Sequence, residues 1–145
     1  MGAACKGAPK RGLVVAVVLV VEDDEQVRVL AESILRDDGH TVITAAGIDG
    51  CEALLQSEQP VDVLFIDIRL GGDLEGGLKV AQTARERRPG VSVLYTTGAG
   101  LTDGMKALFS EPFRFLPKPY TSEQLTESVA FLIMRANPPP RPSLD

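Results

Sequence analysis

Histidine and cysteine are scarce in this chain of 145 residues. His40 is the one histidine, and Cys5 and Cys51 stand far apart with no paired spacing. That inventory excludes a zinc centre and a Cys-His nucleophile. Clustered Lys and Arg are missing as well: the net charge is -5 and the pI near 4.9, which argues against a nucleic-acid surface, because phosphate backbones need grouped cations. No apolar run is long enough for a membrane span. Residues 13–21 are nine consecutive apolar residues preceded by Lys6, Lys10 and Arg11, a poor imitation of a signal peptide, since no small-residue cleavage site follows and Glu22-Asp23-Asp24-Glu25 comes directly after. Internal repeats are absent, and nothing after Ala136 resembles a helix-turn-helix or a catalytic output domain. With neither nucleic acid nor membrane as partner, and with cysteines that need no oxidising compartment, a cytoplasmic location is the natural expectation.

The composition is that of an ordinary globular domain, 44% hydrophobic and 24% charged, long enough for one full core. The most informative stretch is Val61-Asp62-Val63-Leu64-Phe65-Ile66-Asp67-Ile68-Arg69-Leu70. Its apolar run reads as a strand buried on both faces, of the kind found in parallel sheets, and it stops at Asp67. In open α/β sheets the carboxyl ends of the strands are where ligands bind.

The rest of the chain supplies the same pattern repeatedly. Residues 1–12, small and basic without periodicity, read as a disordered arm. A strand at 13–21 is followed by a helix with Asp23 or Asp24 as N-cap, with Val27, Leu30, Ile34 and Leu35 on one face and Gly39 as terminator. A second strand at 40–46 and a helix at 49–57, closed by Pro60, precede the strand that ends at Asp67. Four glycines among residues 71–77 predict a loop, with a third helix from 78 to 87 and a turn at Pro89-Gly90. Strand four spans 91–96, a small polar loop 97–100, helix four 101–110 and strand five 113–116. Thr121 and Gln124 form a capping box for a last helix to about Ala136, and Pro138-Pro139-Pro140 leads into an extended tail, 137–145. Strands alternating with helices predict an α/β domain over 13–136 with a five-stranded parallel sheet and five helices.

Such a sheet gathers Glu22 and Asp23 after strand one, Asp67 after strand three, Thr97 after strand four and Lys118 after strand five on one edge. Each alone is ordinary: an acidic helix start, a strand-end hydroxyl, a surface lysine. Together they place crowded carboxylates that stay ionised only around a shared cation. Oxygen ligands without sulfur or imidazole suit Mg²⁺.

These motifs resemble the receiver domain of two-component response regulators. Val20-Val21-Glu22-Asp23-Asp24 is similar to the family's acidic pair, Leu64-Phe65-Ile66-Asp67 to its phosphoacceptor strand, Leu94-Tyr95-Thr96-Thr97-Gly98 to its switch-hydroxyl strand, and Phe115-Leu116-Pro117-Lys118-Pro119-Tyr120 to its Lys-Pro strand. The resemblance implies a doubly wound, flavodoxin-like sheet of order 2-1-3-4-5. It implies a phosphoacceptor at Asp67 and Mg²⁺ held by Glu22, Asp23, Asp67 and the backbone carbonyl of Arg69. It further implies phosphate-binding and switch roles for Thr97, Gly98, Lys118 and Phe115, and a cis Lys118–Pro119 bond. The partners would be a histidine kinase or phosphotransfer protein upstream and a protein on the helix 4–strand 5–helix 5 face downstream, with no enzymatic activity beyond the domain's own phosphoryl transfer and hydrolysis.

The chain departs from the family in two places. Gly71-Gly72-Asp73 carries one extra residue where the family usually has a proline, and Phe115 lacks the hydroxyl of the commoner tyrosine. Two rival readings compete: a receiver-like scaffold that works without phosphorylation, and an aspartyl-nucleophile phosphatase of the haloacid-dehalogenase type. The latter wants a second acid two positions after the nucleophile, where Arg69 stands. A dinucleotide reading of Thr96-Thr97-Gly98-Ala99-Gly100 fails because the third glycine, Gly104, comes one residue late and the loop follows strand four.

Overall fold

The computed structural model describes residues 15–109 and 111–136. The arm at 1–12, the first two residues of the expected strand one, Ser110 at the end of expected helix four, and the tail at 137–145 lie outside the described residues. Five strands, β1 (Val17–Val21), β2 (Thr41–Ala45), β3 (Val63–Asp67), β4 (Ser92–Thr97) and β5 (Phe113–Pro117), form one sheet in the order β2-β1-β3-β4-β5. Every pairing is parallel. Four helices connect them, α1 (Glu25–Asp37), α2 (Ile48–Gln56), α3 (Gly76–Arg87) and α4 (Asp103–Lys106), and a fifth, α5 (Ser122–Ala136), follows β5. None of the described helices is long and apolar enough to cross a membrane.

Side chains alternate across the strands, so each strand feeds two cores. Val18, Val20, Val63, Phe65 and Leu94 pack with Ala31 and Leu35 of α1 and with Leu125, Val129 and Leu132 of α5. Leu19, Val21, Leu64, Ile66, Val93 and Tyr95 pack on the other face with Cys51 and Leu55 of α2 and Leu78, Ala81 and Ala84 of α3. Covering both faces is what allows β3 to be apolar throughout until Asp67.

Helix ends follow local chemistry. Asp24 caps α1, accepting from the N–H groups of Gln26 at 2.9 Å and Val27 at 3.2 Å. Gly39, with φ 97°, turns the chain out of the helix. Thr121 and Gln124 exchange both bonds of the capping box, at 2.8 and 3.0 Å.

Three expectations are corrected. Leu30 is 60% exposed, and Ala31 takes its place in the core. The buried stripe of α1 is centred on Ala31 and Leu35, one turn apart, which rotates Leu30 well off it. Helix four is a short turn rather than a ten-residue helix: Thr102 caps it by accepting from the Met105 N–H at 3.1 Å, Gly104 weakens its interior, and by Leu108 and Phe109 the bonding has changed to the tighter three-residue spacing. Finally, Gly76 and Gly77 belong to α3 and are buried. A Cβ on Gly77 would stand 2.1 Å from the Asp67 carbonyl oxygen, so this glycine lets a helix approach the end of β3.

Candidate functional site

The parallel register aligns the carboxyl ends of β1, β3, β4 and β5 on one edge, and Glu22, Asp67, Thr97 and Lys118 meet there. Glu22 is 4% exposed, Asp67 6% and Thr97 4%. Lys118 Nζ lies 2.6 Å from Glu22 Oε1 and 2.7 Å from Asp67 Oδ2, so one ammonium joins two buried carboxylates. The other oxygens are held by the main chain: Asp67 Oδ1 accepts from the Arg69 N–H at 3.0 Å, and Glu22 Oε2 from the Asp24 N–H at 3.1 Å. Arg28 Nη1 donates to the Glu22 carbonyl at 2.9 Å, tying the start of α1 back to the end of β1.

Asp23 differs from its neighbour. It is exposed, and its Oδ2 accepts a long bond of 3.4 Å from the Gly71 N–H. One oxygen from each of Glu22, Asp23 and Asp67 lies within 4.8 Å of the others. Three carboxylates against one ammonium leave a negative surplus in a small volume, and the donor set is all oxygen, which fits a hard divalent cation. Burial pushes the Glu22 carboxyl above its ordinary value even with Lys118 acting in the opposite sense. Burial alone would lower the Lys118 ammonium, but its bonds to Asp67 and Glu22 outweigh that and hold it protonated.

The remaining residues frame this cluster. Thr97 Oγ1 accepts from the Ala99 N–H at 3.2 Å, while its carbonyl takes the Lys118 N–H at 3.1 Å. Gly98 lies against the Lys118 stem, where a Cβ would stand 3.8 Å from the lysine Cβ. The Lys118–Pro119 peptide bond is cis, as is Glu111–Pro112. Tyr120 sets its ring edge-on to Phe65 at 5.8 Å, and burial raises its hydroxyl to about 12. Phe115 is half-buried and its ring stacks on Phe109 with centroids 6.2 Å apart. Phe109 in turn stacks on Tyr95 at 4.3 Å.

Of the residues singled out in the sequence, Glu22, Asp67 and Lys118 are in direct contact, and Asp23 stands at their rim. Thr97 is hydrogen-bonded to its own loop, and Phe115, which pairs with Tyr95 of β4, packs against Phe109. Arg28 and Phe109 went unnoticed in the sequence, and Gly71 and Gly77 were read only as loop glycines. For Gly77 a signal existed, a glycine at the start of an apolar helix pattern. Gly71 and Arg28 act at main-chain atoms and leave no side-chain pattern to find.

A doubly wound sheet whose carboxyl edge holds an acid pair, a buried aspartate and a lysine defines a phosphate-signalling class of fold and site. The response regulator receiver domain family matches residues 18–130, and the chain belongs to that family. It is 28% identical over 109 residues to the nitrogen assimilation regulatory protein NtrX of Azorhizobium caulinodans, a match covering 74% of this chain and 24% of the relative. It is 32% identical over 114 residues to the alginate biosynthesis transcriptional regulatory protein AlgB of Pseudomonas aeruginosa, covering 78% and 25%. The chain therefore spans about a quarter of the length of these curated relatives. Among solved structures, a response regulator receiver protein from Sinorhizobium medicae superimposes with a TM-score of 0.77 at 26% identity, covering 85% of this chain and 98% of that one. Receiver domains are signalling switches, and this one has the fold and the acidic cluster of that class.

Proposed function

We propose that Asp67 is the phosphoacceptor of a two-component phosphorelay. A carboxylate oxygen of Asp67 attacks the phosphorus of a phosphohistidine on a histidine kinase or phosphotransfer protein. The P–N bond breaks, the imidazole leaves, and an acyl phosphate remains on Asp67. The observation that carries this reading is the Lys118 ammonium bonded to Asp67 Oδ2, a full positive charge placed beside the oxygens where negative charge gathers during transfer. Mg²⁺ fits the oxygen-only donors Glu22, Asp23 and Asp67 together with the Arg69 carbonyl, and when bound it offsets charge on the phosphoryl oxygens. Glu22 keeps the lysine aimed at the reacting group, and the Arg69 N–H fixes the rotation of the Asp67 carboxylate.

The switch follows from what a phosphate adds. The Thr97 hydroxyl, whose oxygen accepts from the Ala99 N–H, gains a charged acceptor for its own proton. A stronger acceptor present in one state only is the differential interaction that shifts an equilibrium. Gly98 leaves the approach to Lys118 open. Movement of Thr97 makes room beside Phe115, whose apolar ring can pack further inward without having to satisfy a hydroxyl. The face formed by α4, β5 and α5 is then the surface that meets a downstream protein. The unit that does this is the domain at 13–136, acting in the cytoplasm and catalysing nothing beyond its own phosphoryl transfer and hydrolysis.

The direct test is intact-mass measurement after incubation with a small acyl phosphate and Mg²⁺. One phosphate should be added to the wild type and none to Asp67→Asn. Equal labelling of that variant would move the acceptor elsewhere.

A further inference from the structure

We propose that the main-chain N–H of Gly71 positions the Asp23 carboxylate, so that the turn Gly71-Gly72 tunes how tightly the acid trio holds a divalent cation. The tuning rests on the cation reading above; the positioning does not. Leu70 and Asp73 exchange both backbone hydrogen bonds, at 3.2 and 3.0 Å, across an isolated antiparallel bridge. The two residues between them have φ of 60° and 82°. Two consecutive left-handed residues closing such a bridge make the tight hairpin turn that strongly prefers glycine or asparagine first and glycine second. A Cβ on either glycine would meet nothing within 4 Å, so it is the backbone conformation and not space that calls for glycine here.

The turn is anchored at its base. Leu70 is fully buried, and Asp73 holds the Glu75 N–H at 2.9 Å and the Lys79 ammonium at 3.2 Å, fastening the turn to α3. The turn so closed presents the Gly71 N–H to Asp23 Oδ2 across 48 residues of sequence. Asp23 needs such a donor more than its companions do. Glu22 and Asp67 are fixed by Lys118, whereas Asp23 is exposed and has no other hydrogen bond from its side chain among the described residues. Holding one oxygen restricts the rotation of the carboxylate, which offers an oxygen within 4.8 Å of oxygens of Glu22 and Asp67. Asp23 and Gly71 also share the rim of an open recess of about 550 Å³ with Gly47, Ile48 and Asp49, so an ion can reach them. An immobilised side chain need not lose that freedom on binding, which corresponds to roughly a three- to fivefold gain in affinity.

Two measurements by amide NMR test this. In metal-free protein, Asp23→Ala should move the Gly71 amide proton upfield and leave the Asp73 amide in place. In a Mg²⁺ titration followed at the Asp24 and Arg69 amides, Gly71→Val, which cannot hold the left-handed conformation, should weaken affinity by about three- to fivefold. Gly71→Asn, which can adopt it, should restore wild-type binding. An unmoved Gly71 amide in Asp23→Ala overturns the positioning, and wild-type affinity in Gly71→Val overturns the tuning. A wild type that takes up no Mg²⁺ overturns the cation reading and the tuning with it, while the Gly71 shift in Asp23→Ala would still establish the positioning.

Discussion

At the amino edge of the sheet, His40 Nδ1 accepts from the Ala16 N–H at 3.1 Å and Asp62 accepts from the Val17 N–H at 2.8 Å. Arg88 donates to the carbonyls of Leu54, Leu55, Ser57 and Gln59, closing the end of α2. Arg85 does the same for Val91, Glu111 and Pro112 ahead of β4 and β5. At the carboxyl edge, by contrast, Glu22 and Asp67 share Lys118, and Asp23 crowds against them. Polar side chains at the first edge are spent on backbone groups at the ends of strands and helices, several of them buried or part-buried, which serves folding. Those at the second edge are set against one another with negative charge in excess, an arrangement that folding alone would not select. The difference separates a structural edge from a chemical one within a single sheet.

The contrast can be broken first at Lys118. Lys118→Ala should lower the rate of phosphorylation by a small acyl phosphate by about a hundredfold or more. It should also cost about 2–4 kcal/mol of stability, because two buried carboxylates lose their shared cation. Stopped-time mass measurements and urea melts read the two effects. A variant that labels at the wild-type rate would remove the lysine from the chemistry.

A smaller effect is expected at the opposite edge. His40→Ala should destabilise by about 1–3 kcal/mol, since it leaves the Ala16 N–H without its acceptor, and should leave phosphorylation unchanged. The same residue gives the amino edge a pH response. Burial holds the His40 imidazole below its ordinary value of 6.5, against the pull of Asp38, whose carboxylate lies 3.5 Å from Nε2. The folded protein thus binds a proton less readily than the unfolded chain. Stability is present above pH 6.5 and is lost as the pH falls through that value toward the lower folded-state pKa. Urea melts of wild type and His40→Gln across this range should show the slope in the first and a flatter line in the second.

Much of this was legible in the sequence because the strands are apolar on both faces and stop at chemically distinct residues. Asp67 ends β3 and Lys118 directly follows β5, and parallel topology brings them together without further information. Glycine was harder to read. Among residues 71–77, Gly71 and Gly72 make a left-handed turn, while Gly76 and Gly77 begin a helix that packs against the Asp67 backbone. One letter serves both purposes, and only the packing separates them. Leu30 and Ala31 were exchanged for a related reason: size marks a residue as apolar, but rotation about the helix decides which one is buried. Helix four, expected over 101–110, is shorter because Thr102 and Gly104 act locally.

The smallest expected effect is also the most direct check on the charge surplus that distinguishes the two edges. It is the melting temperature of wild type and Asp23→Ala, measured with and without Mg²⁺. Relief of repulsion worth about 1 kcal/mol should make the metal-free variant melt about 2–3 °C higher than wild type. Added Mg²⁺ should then raise the wild type and leave the variant where it was. A variant that melts lower without metal, and still rises with Mg²⁺ as the wild type does, would contradict the assignment of the carboxyl edge as a cation-dependent chemical site.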